Sequence, residues 1–561
     1  MKLVECVPNF SEGRNKDKIQ AIIREIETTP GIKLLDVDPG ESTNRTVVTF
    51  IGSPDAALEA AFKAIKKAAE VLDMRQHRGA HSRIGATDVF PFVPVSGITM
   101  AECVELARGL GRRVAAELGI PVYFYEEAAS KPERRNLAVI RAGEYEGLPE
   151  KLKDPEWAPD CGDPVFNAKS GATVIGAREF LIAYNVNLNT RDRKLAAEIA
   201  LDIRESGRAK RDKDGNILRE DSGNAIKLPG KFPQVKAVGW YIEDYGIAQI
   251  SINFTNYKIS PIPIVFDEVV RLAEKLGLRV TGSELVGLIP KEALLAAGRH
   301  YLEKQGKSPG VPEEELIRTA VLSLGLSDVV PFDARKKIIE YQFEEPAHLL
   351  VKKNLRAFVN ELSMDSPTPG GGSTAALCGA LSAALSSMVA NLTVGKKGYE
   401  KSFSDMKRTA VRAQQLKDDF LGLVDRDTDA FNKVMDALRL PKASEEQKKE
   451  RDASLEAATK EATLVPFQTL EKSVELLKLA KKTVLKGNRN SMSDAGVAAL
   501  TARAAAEGAY YNVRINLPGI QDETFRIKTR KQAVSLRNKI CRMAETIAKL
   551  VEKEFNKTVN G

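Results

Sequence analysis

Two short segments concentrate the side chains that could do chemistry. Residues 75–88, Arg-Gln-His-Arg-Gly-Ala-His-Ser-Arg-Ile-Gly-Ala-Thr-Asp, bring together His77, His81, three arginines and Asp88 with few apolar neighbours. A histidine titrates near neutrality and suits general-base work, and an arginine suits a carboxylate ligand. A solvated loop with incidental histidines fits the same composition. The four-residue histidine spacing falls in a glycine-containing stretch rather than on a helix face, which is not a metal signature. In the second segment, residues 420–438, apolar side chains recur at Phe420, Val424, Phe431, Val434 and Leu438. Asp427 fills the one gap in that helical stripe, while Asp425 and Asp429 fall off it. A carboxylate on a core face is costly without a partner and its pKa rises. That favours proton transfer, with a structurally paired buried Asp as the alternative.

Lesser candidates flank these two. Asp36-Val-Asp38-Pro-Gly reads equally as turn chemistry, and Ser11 in Asn9-Phe-Ser-Glu-Gly-Arg14 reads as a helix N-cap. Pro369-Gly-Gly-Gly-Ser373 opens a helix whose free N–H groups could bind an anion, but no Gly-Lys-Ser/Thr follows to make a Walker loop. Ser493 and Asp494 read as a cap, and Asn512, Arg514 and Asn516 cluster near a helix end.

The elements that must position these groups have two different grammars. From residue 3 to about 283, period-2 strands alternate with amphipathic helices. Strands at 3–7, 33–37, 46–52 and 89–95 with helices at 16–28 and 55–71 run β-α-β-β-α-β. A helix at 99–118 and a strand at 122–125 follow. The same order recurs with strands at 180–188, 236–242, 248–254 and 279–283 and helices at 192–206 and 264–276. The repeated pattern is that of two α+β ferredoxin-like subdomains in tandem, with a cleft between them as the place for a ligand. Helices at 291–303 and 313–324 follow. Residues 209–231 are charged and aperiodic, a surface loop or short hairpin. After about residue 345 the chain reads as an all-helical bundle, with helices at 347–362, 373–394, 402–438, 444–485 (bent at Pro466), 491–511 and 522–556. The expected domains are 1–178, 179–337, a linker at 338–346, and 347–561.

Composition narrows the class. At 561 residues the chain is too long for one domain, and 43% hydrophobic with 29% charged residues is an ordinary globular balance. No stretch of about 18 residues reads as apolar and uncharged, so no membrane span is expected. The start is too polar for a signal peptide. The net charge of +8 is spread along the chain, which does not suggest a dedicated nucleic-acid binder and fits an anionic small substrate about as well. The five scattered cysteines point to reduced thiols in a cytosol.

Several motifs together carry a family resemblance. Val4-Glu-Cys-Val-Pro-Asn-Phe-Ser-Glu-Gly13, Leu34-Leu-Asp-Val-Asp38, Ser42-Thr-Asn-Arg-Thr46 and His77-Arg-Gly-Ala-His81 with Ile84-Gly-Ala-Thr-Asp88 resemble glutamate formimidoyltransferases. Pro369-Gly-Gly-Gly-Ser373, Leu423-Val-Asp-Arg-Asp427 and Tyr511-Asn-Val-Arg-Ile-Asn-Leu517 resemble formimidoyltetrahydrofolate cyclodeaminase. Nearly the whole chain therefore resembles the bifunctional formimidoyltransferase-cyclodeaminases of histidine degradation. The resemblance implies transfer of a formimidoyl group from N-formimidoyl-L-glutamate to tetrahydrofolate, then cyclisation to 5,10-methenyltetrahydrofolate with loss of ammonia. It implies His81 as the transferase base, oriented or charge-stabilised by Asp38. The segment Gly162, Asp163, Pro164, Val165, Phe166, Asn167, Ala168, Lys169, Ser170 and Gly171 would border the folate. Arginines near His81 would hold the glutamate carboxylates. For the second reaction it implies a catalytic Asp in the Asp425/Asp427 pair, with Gly370, Gly371, Gly372, Ser373 and Asn512 around it. Tetrahydrofolate is a co-substrate and no metal is needed. The implied partners are formimidoylglutamate, folate polyglutamates and further copies of the chain, the helical halves pairing as dimers and an octamer being one such assembly. The expected location is the cytoplasm. The 209–231 insertion departs from the vertebrate pattern. Two other readings are a chain with one live half and a non-catalytic folate-binding scaffold.

Overall fold

The computed structural model describes every residue except Met1, 42–43, 80–81, 221–222, 224, 244, 343–348 and 560–561. The chain divides into two compact units. The first comprises residues 1–294 and 324–343, and the second 295–323 and 344–561.

The first unit is α/β, and its described residues form two larger sheets and a two-stranded ribbon. Its larger sheet is built from β1 (Leu3–Cys6), β2 (Asn9–Phe10), β3 (Ile32–Gly40), β4 (Arg45–Gly52), β5 (Thr87–Ser96), β6 (Val122–Glu126) and β7 (Thr173–Ala177). β3 pairs with β4, β4 with β1 and β2, and those with β5, all antiparallel. β7 and then β6 extend the sheet in parallel beyond β5. No strand is expected at β7 from residue spacing. Its sequence Thr-Val-Ile-Gly-Ala is buried at every position, so it shows no alternation to read, as expected of a parallel strand covered on both faces. Val48 and Phe50 of β4 face the helices Lys16–Glu27, Pro54–Val71 and Met100–Leu118 in one core with Ile22, Ile26, Ala61 and Leu110.

The smaller sheet contains β8 (Ile182–Leu188), β9 (Val235–Ile242), β10 (Ile247–Phe254) and β11 (Val280–Val286), in the order β9-β10-β8-β11, fully antiparallel. The helices Arg193–Ile203 and Ile262–Lys275 connect them. The charged 209–231 segment forms a small antiparallel ribbon, Arg208–Ala209 against Lys227–Leu228. The start of the expected linker is packed in this unit, because Ile338 and Ile339 are fully buried and Ile338 bridges Ile289. Residues 343–346 of that linker lie outside the described residues.

The second unit is helical. Gly371–Thr393 packs against Phe403–Arg439, Glu445–Lys486 and Met492–Asn516, and Glu523–Val559 closes the bundle. The expectation that no stretch is long and apolar enough to span a membrane is corrected here. Gly371–Thr393 has no charged residue and passes that test by length and composition. Its burial explains the composition. Ala376, Ala383 and Ala390 are fully buried, and Gly379 lies against the Phe420 ring, where a Cβ would come within 2.3 Å of Cδ1. Small residues let these helices approach closely.

Two boundaries differ from expectation. The helix expected at 347–362 is a short 3-10 turn, Leu350–Lys352, followed by Leu355–Leu362 capped by Asn354. Glu445–Lys486 is one helix with Pro466 inside it, matching the expected span of 444–485. The helix expected to end at 511 continues to Asn516 and starts at Met492, so Ser493 and Asp494 lie inside its first turn rather than capping it.

Candidate functional sites

In the first unit, the β-ladder decides which side chains leave the core. Asp38 pairs with Val47, one register position from the buried Val48, so Asp38 and Arg45 sit on the sheet face turned away from those helices. Asp38 is exposed and Arg45 half-buried. Burial and the Arg141 charge lower the Arg45 pKa, while Asp88 and Asp38 support its charge. Asp88 is fully buried, pairs with Arg141 and accepts the Ile84 N–H at 3.0 Å. It thus ties the end of the histidine segment to the first residues of β5.

His81 and Ala80 lie outside the described residues, as do Ser42 and Thr43. The rest of the segment is held from several sides. His77 is buried, with Nε2 2.8 Å from the Asn44 carbonyl and Nδ1 accepting Arg83 Nε–H at 3.1 Å. Burial holds its pKa below the ordinary histidine range. Ser11 is not a helix N-cap; Asn15 is. Ser11 instead donates its hydroxyl to the Gly85 carbonyl at 2.7 Å, joining β2 to the segment. Two of the arginines expected to hold substrate are taken by the chain's own carboxylates. Arg75 binds Asp73, and Arg83 grips Glu146 with two N–H groups, at 2.7 and 2.9 Å, and Glu144 at 2.6 Å. Arg78 has no ion pair among the described residues and donates to the His77 carbonyl.

The 162–171 segment runs beside this loop. Ala86 N–H donates to the Ser170 carbonyl, Ala172 N–H to Ile84, and Met74 N–H to Lys169. Gly85 permits the approach, since a Cβ there would lie 2.0 Å from the Ala172 carbonyl oxygen. Tyr145 holds the segment from below, donating its hydroxyl to the Ala168 carbonyl at 2.5 Å and packing on Phe166. Gly162, Asp163, Pro164 and Val165 are exposed, Phe166, Asn167 and Ala168 partly buried, Lys169 exposed, and Ser170 and Gly171 buried. Asn167 accepts the Ser170 N–H, and Lys169 reaches the Glu70 carbonyl.

In the second unit, Asp427 meets the N-terminus of Gly371–Thr393. Gly370 is the N-cap and supplies no side chain. The Asp427 carboxylate lies so close to Gly372 that a Cβ there would meet its oxygens at 2.1 and 2.5 Å. The Ser373 hydroxyl is 3.2 Å from Asp427 Oδ2, 3.2 Å from the Thr428 hydroxyl, and donates to the Val424 carbonyl at 2.9 Å. Burial raises the Asp427 pKa, against hydrogen bonds from the Ser373 hydroxyl and backbone. Asp425 is differently used. It accepts the Leu350 N–H at 2.6 Å and so anchors the short 3-10 turn. Asn512 donates to the Gly508 carbonyl, and its amide lies next to Gly371, within 3.3 Å of where a Cβ would sit. Asn516 instead reaches the Ala462 carbonyl, and Arg514 stacks on Tyr510, so the three polar groups of 512–516 do not form one cluster. A groove lined by Pro369, Gly370, Gly371, Thr374, Cys378 and Gly508 opens beside Gly371. Among the described residues, no group of three His, Cys, Asp or Glu could hold a metal.

Comparison with known proteins finds matches to both halves of the chain. Residues 3–178 match the family model described as the N-terminal subdomain of the formiminotransferase domain. Residues 183–344 match the formiminotransferase domain, and 354–535 match formiminotransferase-cyclodeaminase. The formimidoyltransferase-cyclodeaminase of Gallus gallus is 44% identical over 554 residues, covering 98% of this chain and 99% of that protein. The chain belongs to the formimidoyltransferase-cyclodeaminase family. Each half also has single-function relatives. A glutamate formimidoyltransferase of Thermoplasma acidophilum is 45% identical over 55% of this chain and 95% of its own length. A methenyltetrahydrofolate cyclohydrolase of Methylorubrum extorquens is 38% identical over 36% of this chain and 98% of its own length.

For a member of this family, Asn44 and Thr428 are notable for carrying no signal in spacing or periodicity. Asn44 sits between strands, and its contacts are 33 and 31 residues away. Thr428 looks like any polar residue beside a helical stripe. Only the packing of Gly371–Thr393 on Phe403–Arg439 brings it to Ser373.

Proposed function

We propose that this chain catalyses two consecutive folate reactions. The first moves the formimidoyl group of N-formimidoyl-L-glutamate to N5 of tetrahydrofolate and releases glutamate. The second closes N10 onto the formimidoyl carbon and releases ammonia, giving 5,10-methenyltetrahydrofolate. The observation that carries this reading is similarity that runs over both halves of one chain to a protein with both activities in its name.

In the first reaction, N5 attacks the formimidoyl carbon and its proton passes to His81. From the tetrahedral centre the same proton goes to the departing glutamate nitrogen, which leaves His81 neutral again. Asp38 stabilises the transient imidazolium, and its place beside Arg45, which also feels the Asp88 charge at the end of the histidine segment, supports that role. Residues 162–171 border the folate, with the Gly162–Val165 stretch exposed to solvent. Arg78 is the loop arginine we assign to a glutamate carboxylate.

In the second reaction, Asp427 acts and Asp425 does not. N10 must lose a proton and the leaving nitrogen must gain one, and a carboxyl with a raised pKa can do both in turn. Burial against Gly372 favours the protonated form more than in a free carboxyl, and the Ser373 N–H and hydroxyl support the carboxylate once it forms. The Gly370–Gly372 turn and Asn512 border the reacting folate. Tetrahydrofolate is a substrate of the first step and its 5-formimidoyl derivative the substrate of the second, and neither step draws on a metal.

We further read each α/β half as ferredoxin-like, with domains at 1–178 and 179–337, a linker at 338–346 and a cyclodeaminase domain at 347–561. The antiparallel order β3-β4-β1-β5 and its counterpart β9-β10-β8-β11 support the repeat. Exposed Leu381, Leu392, Leu500 and Ile515 on two neighbouring helices support pairing of the helical halves in a cytoplasmic homo-oligomer, up to an octamer. Purified protein given tetrahydrofolate and formimidoylglutamate should yield methenyltetrahydrofolate, read by its near-ultraviolet absorbance, and ammonia. His81→Ala should block transfer, and Asp427→Ala should leave 5-formimidoyltetrahydrofolate accumulating. A wild-type protein that binds folate and makes neither product would end the enzymatic reading.

A further inference from the structure

The base of the histidine segment is closed by side chains that neither reaction step uses. Arg83 Nε–H donates to His77 Nδ1 at 3.1 Å, linking two residues six apart across the segment that carries His81. Because Nδ1 accepts, the imidazole proton sits on Nε2, which donates to the Asn44 carbonyl at 2.8 Å. Arg83 is itself fixed by Glu146 and Glu144. The Asn44 side chain is used at both ends. Its Oδ1 accepts the Gly13 N–H at 3.0 Å, and its Nδ2 donates to the Arg78 carbonyl at 2.9 Å. Asn44 is buried, and its backbone is left-handed at φ 48°, a conformation that Asn tolerates better than most residues. A backbone held in that region persists where its surroundings over-determine it. One residue thus joins the start of the chain, the β3–β4 turn and the histidine segment.

We propose that Asn44 and His77 are positioning residues of the transfer reaction, fixing Arg78 and Arg83, the described flanks of the stretch in which His81 occurs, and that His77 does so as the neutral Nε2–H tautomer. The proposal rests on the reading of His81 as the proton acceptor. Protonated His77 would present an Nδ1–H to Arg83 Nε–H, donor against donor and cation against cation. The charged groups facing His77 are Arg83 and Arg14 on one side of the balance and Glu12 on the other, with Glu144 and Glu146 behind Arg83. Acid therefore breaks the brace as well as disabling His81.

The test uses the full chain and measures glutamate release from formimidoylglutamate and tetrahydrofolate across pH. Thermal unfolding of the first unit in the same samples reports that each variant is folded, and turnover of prepared 5-formimidoyltetrahydrofolate reports the second unit. Asn44→Asp keeps the acceptor for Gly13 but loses the donor to Arg78. We expect kcat to fall roughly 10- to 100-fold with KM nearly constant, the scale of a misplacement of about 1 Å. His77→Ala should behave alike. His77→Gln offers a donor and an acceptor on one side chain without titrating. It should recover at least about 10-fold over His77→Ala and show an acid limb of slope one in log kcat/KM, where wild type steepens to two. Wild-type kcat in Asn44→Asp and His77→Ala, with transfer abolished in His81→Ala, would overturn the proposal alone. So would a slope-two limb in His77→Gln. Full transfer by His81→Ala would overturn the His81 reading and this proposal with it.

Discussion

Replacing Gly372 with alanine adds one methyl group and tests the cyclodeaminase centre directly. The new Cβ would lie 2.1 Å from Asp427 Oδ1 and 2.5 Å from both Cγ and Oδ2, inside any contact a real Cβ makes. The nearest atoms are the end of a short side chain and not backbone, so the carboxylate can swing away. An off-rotamer side chain costs about 0.5–1.5 kcal/mol, and overpacking costs about 1–3 kcal/mol. The same swing removes the proton donor from its place, and a positioned acid–base group is worth roughly 100- to 10,000-fold in rate. Activity should therefore collapse while stability falls only modestly. Gly422→Ala is the control on the Asp427 helix, since a Cβ there meets nothing within 4 Å. It should stabilise by about 0.5–1 kcal/mol as an ordinary helical Gly→Ala change. The assay follows methenyltetrahydrofolate formation from 5-formimidoyltetrahydrofolate, with thermal unfolding and glutamate release alongside. Wild-type cyclisation by Gly372→Ala, with the helix folded, would refute the placement of the acid at Gly372.

Asp427→Asn should abolish cyclisation, whereas Asp425→Asn should mainly loosen the Leu350 turn and retain most turnover, which steady-state rates of both variants will separate. Because burial raises the Asp427 pKa, the folded state binds a proton that the unfolded chain releases above its ordinary pKa near 3.8. Stability then falls as pH rises through that window, and Asp427→Asn should unfold at a higher temperature than wild type in mildly alkaline buffer, with the gap closing in acid. Glu5 follows the same sign. Burial pushes its carboxyl from 4.5 to about 7 against the Arg178 charge. Wild type should lose about 3 kcal/mol of stability between those pH values and level off above them, and Glu5→Gln should not, as denaturant titrations across pH will report. Gly85→Ala should be worse for the fold than Gly372→Ala. Its Cβ would strike the Ala172 and Ser170 carbonyl oxygens at 2.0 and 2.6 Å, backbone that cannot rotate aside. A drop in the first unit's unfolding temperature and in transfer, with cyclisation intact, is the expected pattern.

Local pattern carried much of this architecture. Strand alternation and 3.6-residue periodicity depend on residues a few positions apart, so β3, β4, β8, β9 and β10 and the long helices were legible within a few residues of their ends. The stripe from Phe420 to Val434 likewise singled out Asp427, because a helix face is a local property, and Phe420 and Val424 are indeed buried. Where burial erases alternation, as in β7, or where a polar tail continues a helix, as at Tyr511–Asn516, the pattern misled. Charge and composition marked residues 75–88 as reactive but could not say which arginines were free. Arg83 is spent on Glu144 and Glu146, some sixty residues away in the chain. Contacts of that span are decided by strand pairing and helix packing, which bring Gly372 onto Asp427 and Asn44 onto His77. Residue types and short-range spacing therefore determined the elements and the candidate chemistry. The protonation state of His77, the confinement of Asp427 and the separation of Asp425 from it were left to tertiary structure, because each depends on what a distant segment places within hydrogen-bonding reach.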